Sequence, residues 1–444
     1  MLRSETWIVA VALALTALGA RAEPSAETER LDERALDERL RVEARLDWIA
    51  QYARVRSPAL AESSARARAA SERASAAGRL PDAELKYEQW AVPLARPYSL
   101  GRSDTLMLGL RQAFPAAGTR RAREQVTVAD AEIAAQQRRA TERELIRRIR
   151  KAYFEYYAAD QTLVLQREQI GVTEQMLAQL RGNYELGRGR QQDLLKAIVE
   201  LSRLHNGIVD GAQQRDSSRF MLNTLMGRAT DAQLGPPQLG REGVPEAVVA
   251  SELAPHLSEG RPELAAARSV SRRAQAELEG ARHTARRPGF MVGADYWLMP
   301  TEDSPHAYGA MVSMSLPWFN PEHRAQARAA EQSLRADRYA EVSAAQLASL
   351  ELHQAVAGLA AAKASLAILE HELLPQAEQS LQATESAFSL GQSDMVSWLD
   401  AQRSFFEVRL ERSRAFARVL SQLAEVEFAS GLSLFPNTAR EPTP

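Results

Sequence analysis

The chain has 444 residues, of which 45% are hydrophobic and 25% are charged, with 55 basic and 57 acidic side chains. Because the charges are interspersed and the net charge is only −2, no segregated basic surface is expected, and this excludes nucleic acid as a partner. The chain contains no cysteine, which excludes disulfides and a lipidated N-terminal cysteine, so packing and oligomerisation must stabilise it.

The N-terminus is typical of a secretory signal. Arg3 supplies a positive charge, residues 8–18 form an apolar run too short to span a bilayer, and Ala20 and Ala22 form a small-x-small cleavage site. A transmembrane anchor is the alternative, but a charged segment follows at once. We therefore predict a signal peptide over residues 1–22 and export into the cell envelope.

Two short segments that follow alternate between apolar and polar residues, which predicts strands over about 82–91 and about 104–113. Two more occur in the second half, over about 289–298 and about 307–316. Their length and single apolar face match tilted transmembrane strands; strands of an ordinary soluble sheet are the alternative. Four strands cannot close a barrel and lipid does not tolerate an open edge, so subunits would pool strands, and three copies would give twelve.

Five aromatic residues fall at the strand ends or in flanking turns, where an interfacial girdle would place them, with core packing as the alternative. They are Trp90, Tyr98, Trp297, Tyr308 and Trp318. No helical segment after the signal reads as apolar enough to span a membrane, so a crossing is expected only as a barrel.

A long helical hairpin is predicted over residues 118–227. Only Gly171 interrupts the first helix, and a seven-residue apolar repeat specifies a left-handed coiled-coil seam. The seam residues are Ile149, Tyr156, Leu163, Ile170, Leu177 and Tyr184. The chain reverses at Gly187 into a second helix over about 191–226, which gives the hairpin a glycine-marked tip.

The second half repeats the first at an offset of 204 residues, so that Gly187 corresponds to Gly391 and Gly227 to Gly431. Repeat 1 spans residues 23–227 and repeat 2 residues 260–433, with a second hairpin over 321–431. A linker rich in proline and glycine (228–259) joins them, and residues 434–444 form a tail expected to be disordered.

The seam of the second hairpin runs through Leu352, Leu359, Leu366 and Leu373, and then, after a shift of one residue, through Leu381 and Phe388. Pro375 lies inside this helix and removes a backbone hydrogen bond, which predicts a kink or a local unwinding.

No catalytic constellation occurs in the sequence, so an enzyme is not expected and no cofactor is predicted. The seven histidines are scattered without metal-ligand spacing, and no metal site is predicted from them. Four methionines near the third and fourth strands could supply soft ligands for Cu(I), but packing in the sheet wall is the favoured alternative. They are Met291, Met299, Met311 and Met314.

The order of elements, together with the stretch from Phe388 through Gly391 and Asp400 to Arg403, resembles the TolC-like outer membrane efflux proteins over about residues 30–433. The resemblance implies a mainly α-helical homotrimer in which twelve strands, four per chain, form one barrel in outer membrane lipid. A long helical coiled-coil tunnel would continue the barrel into the periplasm. It also implies a passive exit duct that docks on a periplasmic adaptor, or membrane fusion protein, coupled to an inner-membrane pump.

Two short strings are similar to the branch of this family that serves heavy-metal pumps of the resistance-nodulation-division type. They are Gln-Ala-Phe-Pro at 112–115, followed by basic residues, and Ser-Leu-Pro-Trp at 315–318. Heavy-metal cations are therefore the expected substrate, with drugs or general solutes as the alternative. A structural coiled-coil protein of the envelope and a periplasmic adaptor are alternatives of other classes. The four strands argue against the first, and the two hairpins argue against the second.

In the family, acidic residues beyond the second tip glycine ring a narrow periplasmic aperture. Asp400 falls on one such position, Ser397 replaces the acid one turn earlier, and Asp193 matches an aspartate near the first tip. A surface ion pair with Arg403 is the alternative role for Asp400. Phe388 stands where some members have a gating tyrosine and Ser393 where they have an arginine, so their hydrogen-bonded gate is in doubt here. The expected adaptor-docking tips are Gly187, Arg188, Gly189 and Arg190 in repeat 1 and Gly391, Gln392 and Ser393 in repeat 2.

Overall fold

The computed structural model of the chain describes residues 26–90, 105–187, 189–239, 245, 247–299 and 306–435. The predicted signal peptide, Tyr98 and Arg188 lie outside the described residues. The main helices are α1 (Ala26–Val42), α2 (Leu46–Arg56), α3 (Pro58–Ala76), α4 (Thr119–Glu185), α5 (Gln191–Met226), α6 (Pro262–Arg286), α7 (Pro321–Ile368), α8 (Leu374–Ser389) and α9 (Met395–Ser430). Short helical segments, Ala250–Leu253, Ala254–His256 and Leu257–Gly260, precede α6, and Pro317–Phe319 precedes α7.

Four strands form one antiparallel sheet in chain order: β1 (Glu84–Trp90), β2 (Thr105–Phe114), β3 (Phe290–Leu298) and β4 (His306–Met314). Their bounds agree with the predicted strands to within two residues. The central pair, β2 with β3, joins the two repeats, with Leu108 opposite Tyr296. Two-residue parallel strands, Ala44–Arg45 and Pro237–Gln238, form a separate small sheet.

The two faces of the four-stranded sheet differ in chemistry. One face is apolar and open to solvent in the single chain, and its most exposed members include Leu85, Leu108, Leu110, Tyr308 and Val312. The opposite face carries Lys86, Arg111 and Asp295, with the Asp295 carboxylate buried and 3.8 Å from the Arg111 guanidinium. The sheet therefore has the two-faced character that the alternation predicts.

Trp297 and Trp90 lie on the polar face and not on the apolar one. Trp297 stands opposite Ala307 and Trp90 opposite Thr105, whereas Tyr308 stands opposite Tyr296 on the other face. A Cβ at Gly309 would lie 2.1 Å from the Trp297 ring, so glycine leaves room for the indole to lie across the sheet. Of the two alternatives for these residues, a girdle on the apolar face would therefore not include Trp297 or Trp90.

Each repeat contains a long antiparallel helical hairpin, α4 with α5 and α7–α8 with α9. The 67 residues of α4 would extend over about 100 Å at 1.5 Å per residue. The predicted seam is buried at Ile149, Tyr156, Leu163 and Leu177, while Tyr184, close to the tip, is 45% exposed. In the second hairpin Leu352 and Leu359 are buried as predicted.

Pro375 is accompanied by a π-helical turn, Leu369–Leu373, between α7 and α8. Of the two predicted outcomes, the structure therefore shows a local unwinding of the helix next to Pro375. The seam prediction is wrong at Leu373, which is 40% exposed; Leu374 is half-buried and stands seven residues before Leu381. The π turn places one extra residue in the helix, so Leu373, its last residue, leaves the seam, and Leu374, the first residue after it, takes the seam position.

The main core lies where α2 and the start of the inter-repeat segment pack against α4, α5 and α9. Tyr153, Phe154 and Tyr156 on α4 are fully or almost fully buried there. The Tyr156 hydroxyl donates to the carbonyl of Gly235 at 2.9 Å, and burial raises the pKa of Tyr156 to about 12. The described part of the predicted linker is thus packed, and Phe435, at the start of the predicted tail, is buried against Phe154.

One helical stretch does meet the length and composition of a membrane-spanning helix, contrary to the sequence expectation. It lies within Pro321–Ser389 and has a mean hydropathy of 1.4, and 22% of it is buried. Alanine supplies much of this hydropathy, in runs such as residues 360–362. In the single chain this helix exposes Tyr339, Val342, Leu347 and Leu350. Exposed apolar side chains grouped in this way mark a surface for contact with protein or lipid.

Candidate functional site

The two hairpin tips reverse in the same way, with α4 ending one residue before Leu186 and α8 ending one residue before Leu390. Gly187 and Gly391 follow with φ of 71° and 73°, a region that side chains with a Cβ rarely adopt. Both tip glycines thus adopt the left-handed conformation, as expected for a glycine that ends a helix where the chain reverses. Leu186 and Leu390, related by the 204-residue offset, are 70% and 72% exposed, so each tip presents one bare leucine.

The second tip is closed by a side-chain cap that the first lacks. The Asp394 carboxylate accepts a hydrogen bond from the Ser397 amide at 2.8 Å at the start of α9. Hydrogen bonds from Ser397 lower the pKa of Asp394, because they stabilise the charged carboxylate. In repeat 1 the capping position is Arg190, which makes no such side-chain bond, and Asp193 lies in the first turn of α5.

An apolar cluster behind the tips holds the two hairpins together. Its buried members are Met176, Leu177, Leu180, Ala197, Met395, Trp398 and Leu399. Phe388 packs against this cluster, and its ring stacks on Trp398 with 4.8 Å between centroids. Phe388 therefore contributes packing between the two hairpins.

An ion network lies beside this cluster, between α5 and α9. The Arg403 guanidinium donates to the Glu200 carboxylate at 2.8 Å and to Asp400 at 3.3 Å. Arg203 lies 3.7 Å from the same Glu200 carboxylate. The side chain of Glu200 is 10% exposed and that of Asp400 is 62% exposed. The network thus presents Asp400 outward and shields Glu200.

A groove of about 330 Å³ opens at this network and is lined from both hairpins. Lys196 and Val199 contribute from α5, and Val396 and Asp400 from α9. Lys196 corresponds to Asp400 at the 204-residue offset, so the two repeats place opposite charges at one level. Glu200, Lys196 and Arg203 were not among the predicted site residues, although the repeat offset could have indicated Lys196.

The other predicted site residues occupy exposed or half-exposed positions at the tips. Ser397 is exposed and acts through its backbone amide, which Asp394 caps. Gly189 approaches the backbone of Tyr184, where a Cβ would lie 3.0 Å from the Tyr184 nitrogen. The backbone N–H of Gln392 donates to the Ala387 carbonyl at 2.8 Å, and the Gln392 side chain is exposed, whereas Ser393 is half-buried.

The described residues contain no group of three or more His, Asp or Glu side chains placed to hold a metal ion. The four methionines also do not converge. Met291 and Met311 lie on the polar face of the sheet, Met314 stands opposite Phe290 on the apolar face, and Met299 follows the end of β3. The described site residues therefore combine charged side chains, an apolar cluster and exposed tips.

The sequence matches the outer membrane efflux protein family over residues 49–228 and again over residues 253–432, so the second match begins and ends 204 residues after the first. No curated protein is significantly similar to the chain by sequence.

Several solved structures share the fold. The open-state MtrE outer membrane channel of Neisseria gonorrhoeae is 20% identical, with a TM-score of 0.74 over 89% of this chain and 91% of that one. The outer membrane protein VceC of Vibrio cholerae is 18% identical, with a TM-score of 0.72 over 87% and 96%. CusC, described as forming a transmembrane channel, is 16% identical, with a TM-score of 0.75 over 87% and 92%.

Proposed function

Because the chain belongs to the outer membrane efflux protein family, we propose that it is the homotrimeric exit duct of a tripartite efflux system. It is an outer membrane protein with a long periplasmic extension. The duct is passive in this proposal: a periplasmic adaptor and an inner-membrane pump of the resistance-nodulation-division type supply the energy and the substrate.

The four-stranded sheet is the observation that carries the proposal. Within the described residues, β1 and β4 each pair on one side only, and the apolar face of the sheet is exposed. Lipid tolerates neither unpaired strand edges nor charged residues on its side of a wall. Three chains that join β4 of one copy to β1 of the next would close twelve strands, with the apolar face toward lipid and Lys86, Arg111 and Asp295 toward the lumen.

The exposed apolar residues of α7 favour the same assembly. Tyr339, Val342 and Leu347 are each more than half exposed in the single chain. In a trimeric tunnel the neighbouring hairpins would cover them, because the helices of a coiled-coil barrel bury side chains on both flanks. A helix embedded in the membrane would be covered by lipid instead, which is the competing arrangement.

The two tips supply the docking surface for the adaptor in this proposal. Leu186 and Leu390 project beside glycine turns of nearly equal geometry, so each protomer offers two similar contact points. Gln392 is exposed next to the second turn. A photoactivatable crosslinker at Gln392 should capture the adaptor in cells, and one at Tyr308 on the sheet serves as the control. Capture from Tyr308 alone would contradict tip docking.

Heavy-metal cations are the substrate class that we propose. The strings at 112–115 and 315–318 favour it, and the exposed Asp400 carboxylate would attract cations if three copies surround one axis. A deletion strain should become sensitive to metal salts and regain resistance with the gene restored. Sensitivity to organic drugs alone would assign the duct to drug export.

The assembly is tested with the purified mature chain. Light scattering in detergent should give three protein copies per particle, and planar bilayers should show discrete conductance steps. A monomer that stays soluble without detergent would overturn the barrel. A detergent-requiring particle in which α7, and not the sheet, is protected by lipid would favour the membrane-helix arrangement.

A further inference from the structure

The coiled-coil seams of the two repeats differ by one residue. Tyr156 and Leu163 of α4 correspond to Leu359 and Leu366 at an offset of 203 residues. Ile170, Leu177 and Tyr184 correspond to Leu374, Leu381 and Phe388 at an offset of 204 residues. One residue has therefore been inserted into the second long helix between Leu366 and Leu374.

The π turn Leu369–Leu373 takes up this inserted residue. Its closing bond runs from the Leu374 amide to the Leu369 carbonyl, and a π turn holds one more residue than an α turn. Pro375 follows at the start of α8 and has no amide hydrogen to continue the helical ladder. The helix is thus weakened twice within seven residues.

Repeat 1 carries a weak point at the same level. Gly171 lies inside α4 and corresponds to Pro375 at the offset of 204 residues. A Cβ at Gly171 would meet no atom within 4 Å, so no close packing requires a glycine there. Glycine loosens a helix interior because its backbone has the most conformational freedom to lose. Both long helices are therefore weakened where they pass the same level.

The packing beside the π turn is partly polar. A cavity of about 290 Å³ lies between α4, α8 and α9 and is lined by Tyr157, Leu374 and Phe416. None of the residues of α8 is buried. Leu366 packs on the main core above this level, whereas Leu381 and Phe388 pack on the tip cluster below it. The π turn and Pro375 therefore lie between the main core and the apolar cluster behind the tips, and each of these clusters can move as a rigid body.

Two ion pairs cross the cavity region. Glu370 of the π turn accepts from Arg412 of α9 at 2.9 Å, and Glu168 of α4 accepts from Arg409 at 2.5 Å. Partly exposed ion pairs contribute little net stability, so they can break and re-form. They hold the turn in place without the rigidity that a close-packed apolar contact would give.

We propose that the level of the long helices marked by the π turn, Pro375 and Gly171 is a hinge. The π turn with Pro375 in one repeat and Gly171 in the other let the tip-side ends of the hairpins swing relative to the main core, and the Glu370–Arg412 pair latches the observed position. The hinge deepens the proposed function, on which it rests for what the motion serves: widening of the periplasmic entrance.

Spin labels test the hinge directly, because the chain contains no cysteine to interfere. Labels at Ala364→Cys and Glu385→Cys, both exposed, span the π turn and would stand about 30 Å apart along one continuous helix. Labels at Gln346→Cys and Ala367→Cys have the same spacing on α7 alone and form the control. Labelled chains are diluted with unlabelled ones so that pulsed electron resonance reads one pair per trimer.

We expect a broad or two-peaked distance distribution across the turn and a single narrow peak for the control pair. Deletion of His371 brings Leu374 of the unmodified chain to seven residues after Leu366, which is the normal seam spacing. The deletion should therefore narrow the distance distribution of the pair that spans the π turn to one peak. Pro375→Ala and Gly171→Ala should narrow it in part, and they carry the test if the deletion does not assemble. Arg412→Gln, which releases the latch, should raise the minor peak at least about twofold. Equal, narrow peaks for both pairs would overturn the hinge.

Planar-bilayer recordings separate the hinge from the channel. In the His371 deletion the open time should fall at least about tenfold if swinging widens the entrance. A narrow distance across the turn with normal conductance would refute the hinge and leave the duct intact. Two distances without conductance in any variant would refute the duct and leave the hinge.

Discussion

Arg403 on α9 donates two hydrogen bonds to the carboxylate of Glu200 on α5, at 2.8 and 3.4 Å, and so joins the two hairpins behind their tips. Hydrogen bonding to Glu200 raises the pKa of Arg403. Arginine is already charged at every physiological pH, so this pair holds the tips together without acting as a pH switch. The Arg403–Glu200 pair contributes to stability mainly because the Glu200 carboxylate is nearly buried.

Replacing Arg403 with Gln should destabilise the contact between the two hairpins by about 1–3 kcal/mol, because the nearly buried Glu200 carboxylate loses its closest cation. Hydrogen exchange of amides in the first turns of α5 and α9 measures this opening. Glu200→Gln in the same chain should recover part of the loss. Arg203→Gln, 3.7 Å from Glu200 and 70% exposed, is the control and should change the opening by no more than about 0.5 kcal/mol. Equal effects of the two arginine variants would contradict this assignment.

Asp400→Asn should lower the cation selectivity of the channel and weaken its block by multivalent cations. The carboxylate is exposed in the groove between α5 and α9, and three copies around one axis would concentrate negative potential there. Trimer stability should stay nearly unchanged, since the exposed pair with Arg403 is worth only about 0.2–0.5 kcal/mol. Reversal potentials in a salt gradient give the measurement, with Glu407→Gln, another acid on α9, as the control. An unaltered reversal potential would place Asp400 on the outer surface.

Val312→Arg should impair trimer assembly at a cost of about 2–4 kcal/mol if its position lies near the bilayer midplane. Val312 is 71% exposed on the apolar face of β4. The neighbouring Ser313 points to the opposite face, so Ser313→Arg is a matched control that should assemble normally. The amount of heat-resistant trimer on denaturing gels measures assembly of the two variants. Normal assembly of both variants would argue against lipid on the apolar face.

The sequence pattern predicted the strands, the hairpins and the glycine tips because each depends on local chemistry. Alternation predicted the two faces of the sheet, and the one-residue shift between Leu373 and Leu381 indicated a break in the seam near the π turn. The pattern placed the shift too late, at Leu373, since periodicity shows that a residue is added but not which turn absorbs it. Only the packing in the folded structure shows that Leu374, and not Leu373, occupies the seam.

The candidate site was less predictable because its contacts join residues far apart in the chain. Glu200 and Arg403 are brought together by the packing of two hairpins, and no local pattern marks Glu200 as shielded. The place of Trp297 at a strand end allows either a girdle or core packing, and only the strand register shows that it lies opposite Ala307 on the polar face. Register depends on pairing between strands, which one strand's sequence does not contain.

Gly391→Val should distort the second tip and abolish adaptor capture while leaving the trimer assembled. Gly391 has φ of 73°, so valine is strained there even though a Cβ would meet no neighbouring atom within 4 Å. Gly391→Asn is the control, because asparagine tolerates this conformation better than β-branched residues. Crosslinking from Gln392 gives the readout. Equal capture by the two variants would show that the tip conformation does not matter for docking.

Asp394→Ala should fray the start of α9 at neutral pH, because the Ser397 amide loses its acceptor. Asp394→Asn keeps an acceptor but removes the charge, so it should protect the Ser397 amide to an intermediate degree. The pKa of Asp394 is lowered by its bonds from Ser397, so the unfolded tip binds the proton more readily than the folded one. The charged cap therefore stabilises the tip fully above the ordinary aspartate pKa of about 3.9, and this contribution is lost as pH falls through the lowered value.

Exchange of the Ser397 amide, compared between variants at each pH, measures the cap. The unmodified chain should exceed Asp394→Asn in protection at pH 7, and the difference should vanish at pH values below the folded pKa. Asp193→Asn is the matched control in repeat 1, where the capping position is Arg190 and no side-chain cap forms. That variant should leave the amides at the start of α5 almost unaffected. Equal protection of Ser397 in the unmodified chain and in Asp394→Ala at pH 7 would show that the tip is held by the Met395 and Trp398 packing alone.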